Sequence, residues 1–85
     1  MVIRFRRSAF RHGIIESRIR YVVEHCPSPS YLDTGPPYRL LFLWHDLSGV
    51  PLEVVAVDTG IDDLLVIHAM RLRKGYQDEY LRMLT

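Results

Sequence analysis

Tyr38-Arg39-Leu40-Leu41-Phe42-Leu43-Trp44-His45, then Leu52-Glu53-Val54-Val55-Ala56-Val57-Asp58, then Leu64-Leu65-Val66-Ile67-His68-Ala69-Met70 are three apolar runs of strand length. They are rich in β-branched and aromatic residues, which suit a pleated, half-buried surface. Asp46-Leu47-Ser48-Gly49-Val50 and Gly60-Ile61-Asp62 separate them. Consecutive strands joined by connections this short pair antiparallel, so a β-meander is expected. Ser30-Tyr31-Leu32 lies between Pro27-Ser28-Pro29-Ser30 and Thr34-Gly35-Pro36-Pro37 and supplies at most a short fourth strand at an edge.

On the N-terminal side, Ile15, Ile19, Val22, Val23 and Cys26 recur at helical spacing, with Glu16, Arg18, Arg20 and Glu24 between them. An amphipathic helix of roughly 10–12 residues follows, ended by Pro27. Before it, Ser8 is placed to cap a short turn over Ala9 to His12, closed by Gly13. On the C-terminal side, Gly75 to Leu84 puts Tyr76, Tyr80, Leu81 and Leu84 on one helical face, with Asp78 and Glu79 near the positive end of the dipole. The expected fold class is α+β, in the order helix, three- to four-stranded antiparallel meander, helix, with one or both helices on one face of the sheet.

The 85 residues suit one domain, 1–85. An apolar share of 48% is that of a globular chain. Cys26 is the one cysteine, which excludes an intramolecular disulfide and favours the cytoplasm. Neither a signal peptide nor a membrane span is expected, since the longest apolar run, Leu40 to Trp44, is far short of roughly 18 residues. The net charge is only +1, but ten of the eleven cations are arginines and they gather at the ends: Arg4, Arg6, Arg7 and Arg11, then Arg71, Arg73, Lys74 and Arg82. If the termini meet in space, a local basic patch results.

Strand alternation yields a sharper expectation. With Ser48-Gly49 as a two-residue loop, Trp44 lies opposite Glu53 and Phe42 opposite Val55. With Gly60-Ile61 as the next, Glu53 lies opposite His68. Trp44, Glu53 and His68 then form a row on a face lined by Phe42, Val55, Val57, Leu64 and Val66, while Leu41, Leu43, Val54, Ala56 and Ile67 line the other. A slip of one residue would send His68 across the sheet. A carboxylate beside an imidazole and a phosphate-binding cation is an acid–base set suited to RNA cleavage. One group takes the proton of the ribose 2′-hydroxyl, another protonates the leaving oxygen, and an arginine stabilises charge on the phosphate. Histidine suits the work because it titrates near physiological pH. Glu53, His68 and Arg73 are therefore the candidate catalytic residues. The competing reading is a Glu–His cross-strand pair contributing only a few tenths of a kcal/mol.

Arg71-Leu72-Arg73-Lys74 follows the third strand directly. Its cations suit a phosphate, and Tyr76 suits stacking on a base or a place in the core. The histidines and Cys26 match no zinc spacing, and the dispersed glycines form no phosphate loop or dinucleotide fingerprint. There is no nucleophile-elbow serine. No cofactor or metal is expected.

Arg11-His12-Gly13-Ile14 opening the first main helix, Tyr38-Arg39-Leu40-Leu41 opening a strand, Leu52-Glu53-Val54-Val55 and the run from Val66 to Lys74 resemble the BrnT-like and broader RelE-like ribonuclease toxins of bacterial type II toxin–antitoxin pairs. The resemblance implies a RelE-like fold, an endoribonuclease that arrests translation by cutting mRNA at the ribosome, and a cognate antitoxin bound across the active face. It also implies RNA binding by Arg39, by Arg71, Arg73 and Lys74, and by Arg11 and His12. The alternatives are a non-catalytic RNA- or protein-binding module using the same basic surface, and a small domain with no site.

Overall fold

The computed structural model describes residues 1–85. It is an α+β fold whose five strands form one mixed sheet: β1 Val2–Phe5, β2 Ser30–Tyr31, β3 Tyr38–His45, β4 Pro51–Gly60 and β5 Asp63–Arg71, in the spatial order β1-β5-β4-β3-β2. The expected meander is β3-β4-β5, and Ser30–Tyr31 is the short antiparallel edge. The N-terminal strand was not expected, and the order is strand, helix, sheet, helix. β1 pairs parallel with β5, Val2 with Asp63 through Phe5 with Val66. This pairing spans some sixty positions, and only the alternation of exposed Val2 and Arg4 with inward Ile3 and Phe5 marks it locally.

Helix α1, Glu16–His25, lies where the 3.6-residue period puts it. Ile19, Val22 and Val23 are buried against Leu40, Phe42, Leu52, Val54, Ala56, Leu64, Val66 and Ala69, the main core. Fully burying side chains such as Ile19 and Val22 contributes about 1.5–3 kcal/mol each. A short 3-10 turn, Lys74–Tyr76, leads into helix α2, Gln77–Met83. Tyr80 packs there with Leu41 and Leu43. Since Leu40 and Phe42 face α1 while Leu41 and Leu43 face Tyr80, the two helices cover opposite faces, so of the expected arrangements, one or both helices on one face, the shared face does not occur. The apolar stripe expected on the last helix is also shorter. Tyr76 and Tyr80 pack on the sheet, with Leu72 and Met83, whereas Leu81 and Leu84 are exposed.

Register departs from the expectation at both turns. The first connection spans residues 46–50, because His45 still pairs with Pro51, so Leu43 and not Trp44 lies opposite Glu53. Asp46 closes this loop. It is buried, receives the backbone N–H of Ser48 and of Val50 at 2.9 Å each, and pairs with Arg18 at 2.6 Å. The second turn is Ile61-Asp62, with Gly60 paired to Asp63 and Asp62 in the left-handed region at φ 54°. Between Ala56↔Val66 and Val55↔His68 one residue of β5, Ile67, has no partner on β4. This β-bulge decides which face His68 takes. Without it the register of Ala56↔Val66 would bring His68 opposite Val54, into the core. With it, Glu53 lies opposite Met70 and His68 stands diagonally across, on the same face as Glu53.

Candidate functional site

The bulge is held from outside the meander. Beyond Phe5 the chain leaves β1 through Arg6, whose N–H donates to the Val66 carbonyl, and enters a 3-10 turn over Arg7–Phe10. Ser8 does not cap that turn, contrary to expectation. Its hydroxyl donates instead to the carbonyl of Ile67, the bulged residue, at 2.6 Å. Ala9 is fully buried in the main core and anchors the turn. Gly13, at φ 77°, then redirects the chain so that Ile14 is buried before α1 begins. This path carries His12 to His68, with ring centroids 5.6 Å apart at 76°. Ser8→Ala is expected to cost about 1 kcal/mol, the usual net worth of such a hydrogen bond. Denaturant melts check the stability change, and faster amide exchange around Ile67 and His68 would locate it at the bulge.

Glu53 sits at the centre of the site with its side chain 1% exposed. Its carboxylate accepts from the Arg73 backbone N–H at 3.0 Å, from Arg73 Nε at 3.0 and 3.1 Å, and from Arg73 Nη2 at 2.7 Å. His68 Nε2 completes the set at 3.1 Å. Burial alone would push this carboxyl up, but the donors from Arg73 and His68 outweigh it and hold Glu53 below the ordinary glutamate range. An ionised carboxylate only accepts, so the proton of a neutral His68 lies on Nε2. Nδ1 then carries the lone pair; it makes no hydrogen bond and is not sealed from solvent. Glu53 is thus a positioning residue, sealed and saturated, which sets the tautomer and orientation of His68.

Arg73 is the hinge between this pair and the C-terminal segment. Its side chain is 57% exposed, and its guanidinium lies over the Tyr76 ring at 5.9 Å. Leu72 packs with Tyr76 and Tyr80, which draws residues 72–76 onto the Glu53 face. Tyr76 therefore belongs to the packing of α2 and to the support of Arg73. Lys74 is exposed and makes no ion pair. Arg71 is exposed on the side of β5 that carries Ala69, away from His68 by strand alternation.

Arg39 is not brought to the site. Its partner Val57 is four positions along β4 from Glu53, about 13 Å of strand. Its guanidinium is committed to Asp33, Nε to Oδ2 and Nη2 to Oδ1, both at 3.0 Å. Trp44 also falls outside the row, stacking on His45 at 4.4 Å between centroids, while His45 Nδ1 meets the Tyr80 hydroxyl at 3.2 Å. The residues brought together are thus His12, Glu53, His68, Arg73 and Tyr76. The sequence suggested His12 only as an RNA contact. Its place beside His68 depends on β1 and the turn after it.

No group of three or more His, Cys, Asp or Glu side chains is arranged to hold a metal ion. No helix is long and apolar enough to cross a membrane. Neither a family model, nor a curated protein, nor a solved structure matches the chain.

Proposed function

We propose that this protein is a metal-independent endoribonuclease, acting as the toxin of a type II toxin–antitoxin pair, with His68 and His12 as its proton-transfer groups. One observation carries the reading. Two histidines stand ring to ring at 5.6 Å, one of them oriented by a buried carboxylate that an arginine holds ionised. In the reaction, Nδ1 of His68 takes the proton of a ribose 2′-hydroxyl and the freed oxygen attacks the adjacent phosphorus. The bond from phosphorus to the 5′-oxygen breaks, and protonated His12 supplies the proton to that leaving oxygen. Arg73, through the part of its guanidinium not bound to Glu53, stabilises the developing charge on the phosphate, and exposed Lys74, next in the chain, is a further cation for it. The products are a 2′,3′-cyclic phosphate and a 5′-hydroxyl.

The toxin part of the reading draws on the resemblance of residues 11–14, 38–41, 52–55 and 66–74 to BrnT-like and RelE-like proteins. It also draws on the sheet face around the site, where Val55, Val57, Leu65 and Met70 are only half-buried and an antitoxin would find apolar area to cover. The purified protein is expected to cleave RNA in the presence of EDTA and leave cyclic-phosphate ends. The rate should be bell-shaped in pH, because one histidine must be neutral while the other is protonated. In cells, expression alone should arrest growth, and co-expression of the neighbouring reading frame should restore it. Intact RNA together with unaffected growth would leave a non-catalytic binding module as the reading.

A further inference from the structure

Arg6, Arg7 and Arg11 surround an open cavity of about 530 Å³ on the 3-10 turn, lined in addition by Ser8 and Phe10. Three guanidinium groups within six positions repel one another, and an acidic neighbour would ordinarily relieve this. None does. Arg4, Arg18, Arg20, Arg39 and Arg73 each have a carboxylate partner, whereas Arg6, Arg7 and Arg11 have none, and no Asp or Glu lines the cavity. The turn keeps them together because Ala9 is buried in the core and Ser8 is tied to Ile67. Charge held unpaired by a rigid anchor is an arrangement that an anion would complete.

The aromatic in the cavity narrows the class of anion. Phe10 is 39% exposed although it is a large apolar side chain. One side of it stacks on Phe5, at 5.7 Å between centroids and 29° between planes, and Arg20 lies over the Phe5 ring at 5.2 Å. A flat ring held in place beside three cations offers stacking for a base and ion pairs for the phosphates on either side of it. Two residues further along the same chain is His12, at most about 7 Å of backbone away. The cavity and the His12–His68 pair are therefore within reach of one continuous strand.

We infer that Arg6, Arg7, Arg11 and Phe10 form a binding subsite for single-stranded RNA, holding the nucleotide and phosphates that flank the position cut between His12 and His68. The choice of RNA rests on the function proposed above, which it deepens by assigning where the strand runs. It also accounts for how a chain of net charge +1 can bind a polyanion: five of the ten acids are held in ion pairs elsewhere, and three of the five unpaired arginines lie together on one turn.

The test uses a fluorescent 2′-O-methyl oligonucleotide, which binds but has no free 2′-hydroxyl to react, so binding is read independently of cleavage. Arg6→Gln/Arg7→Gln is the main variant, since both side chains are exposed and neither belongs to the proton-transfer set. Anisotropy is expected to show at least a tenfold loss of affinity at low salt. The slope of log affinity against log salt should fall by about 0.7 for each phosphate contact removed. Phe10→Leu should weaken the oligonucleotide but leave the salt slope unchanged, because it removes stacking and no charge. Unchanged affinity and slope in the double arginine variant would overturn the subsite, as would equal competition by a polyglutamate peptide, which has charge but no bases. If wild-type protein binds the oligonucleotide through these residues yet cleaves no RNA, the subsite stands and the catalytic reading falls.

Discussion

His68→Ala is expected to lower the rate of RNA cleavage by about 10²–10⁴-fold, the usual worth of a positioned general base. The sheet should remain folded, because the His68 side chain is 25% exposed and its loss opens no sealed cavity. Single-turnover cleavage of a short RNA measures the first quantity and a thermal melt the second. A purely structural role for His68 would move the melt and leave the rate of the remaining folded protein unchanged. The effect should fall on kcat, because the Arg6–Arg11 cavity, not His68, is assigned the grip on the strand.

A second large effect concerns stability. Removing Glu53 and removing its partner are unequal acts. Glu53→Gln leaves Arg73 more than half in water, where it can hydrate, and its cost should be about 1–3 kcal/mol from the hydrogen bonds lost. Arg73→Met leaves a buried carboxylate with only the residue-73 backbone N–H and His68 as donors and no cation beside it, and should be the more damaging of the two at neutral pH. The pH dependence separates the explanations. In the parent chain the Glu53 carboxyl lies below its unfolded value, so its contribution is complete above about pH 4.3 and fades as pH falls through the lower folded value. In Arg73→Met the side-chain donors and the adjacent cation are lost while burial remains, so the Glu53 carboxyl is expected to rise from its parent value. The variant's deficit is then relieved by protonation in acid. The stability gap between parent and Arg73→Met should therefore narrow as pH drops below about 4. Urea unfolding at a series of pH values reads this directly. A gap independent of pH would mean that Glu53 is not the buried partner of Arg73.

The same ion pair shows why the catalytic role expected of Glu53 changes in the folded chain. From sequence, Glu53 and His68 were equal candidates to move a proton. In the structure one is sealed and receives five hydrogen bonds, while the other keeps a ring nitrogen free. A carboxylate whose lone pairs are occupied and whose proton affinity is depressed is a poor base, and a good orienting group for an imidazole.

Local pattern alone determined the three runs of the meander, the edge at Ser30–Tyr31, helix α1 from its 3.6-residue period, and the presence of Glu53 and His68 on neighbouring strands. These follow from the periodicity of side chains and from turn residues, both of which are properties of adjacent positions. The tertiary structure decided the rest. β1 exists as a strand because Asp63–Val66 offers it an edge, and a four-residue run carries too little local signal to announce that. The face taken by His68 depends on the unpaired Ile67, and the bulge is held by Ser8, fifty-nine positions earlier in the chain. His12 reaches His68 along the same path. A period-2 strand tells which residues share a face but not which face, since one inserted residue inverts the answer. The bulge that settles it is braced by a hydroxyl distant in sequence, and the candidate site follows from that bulge.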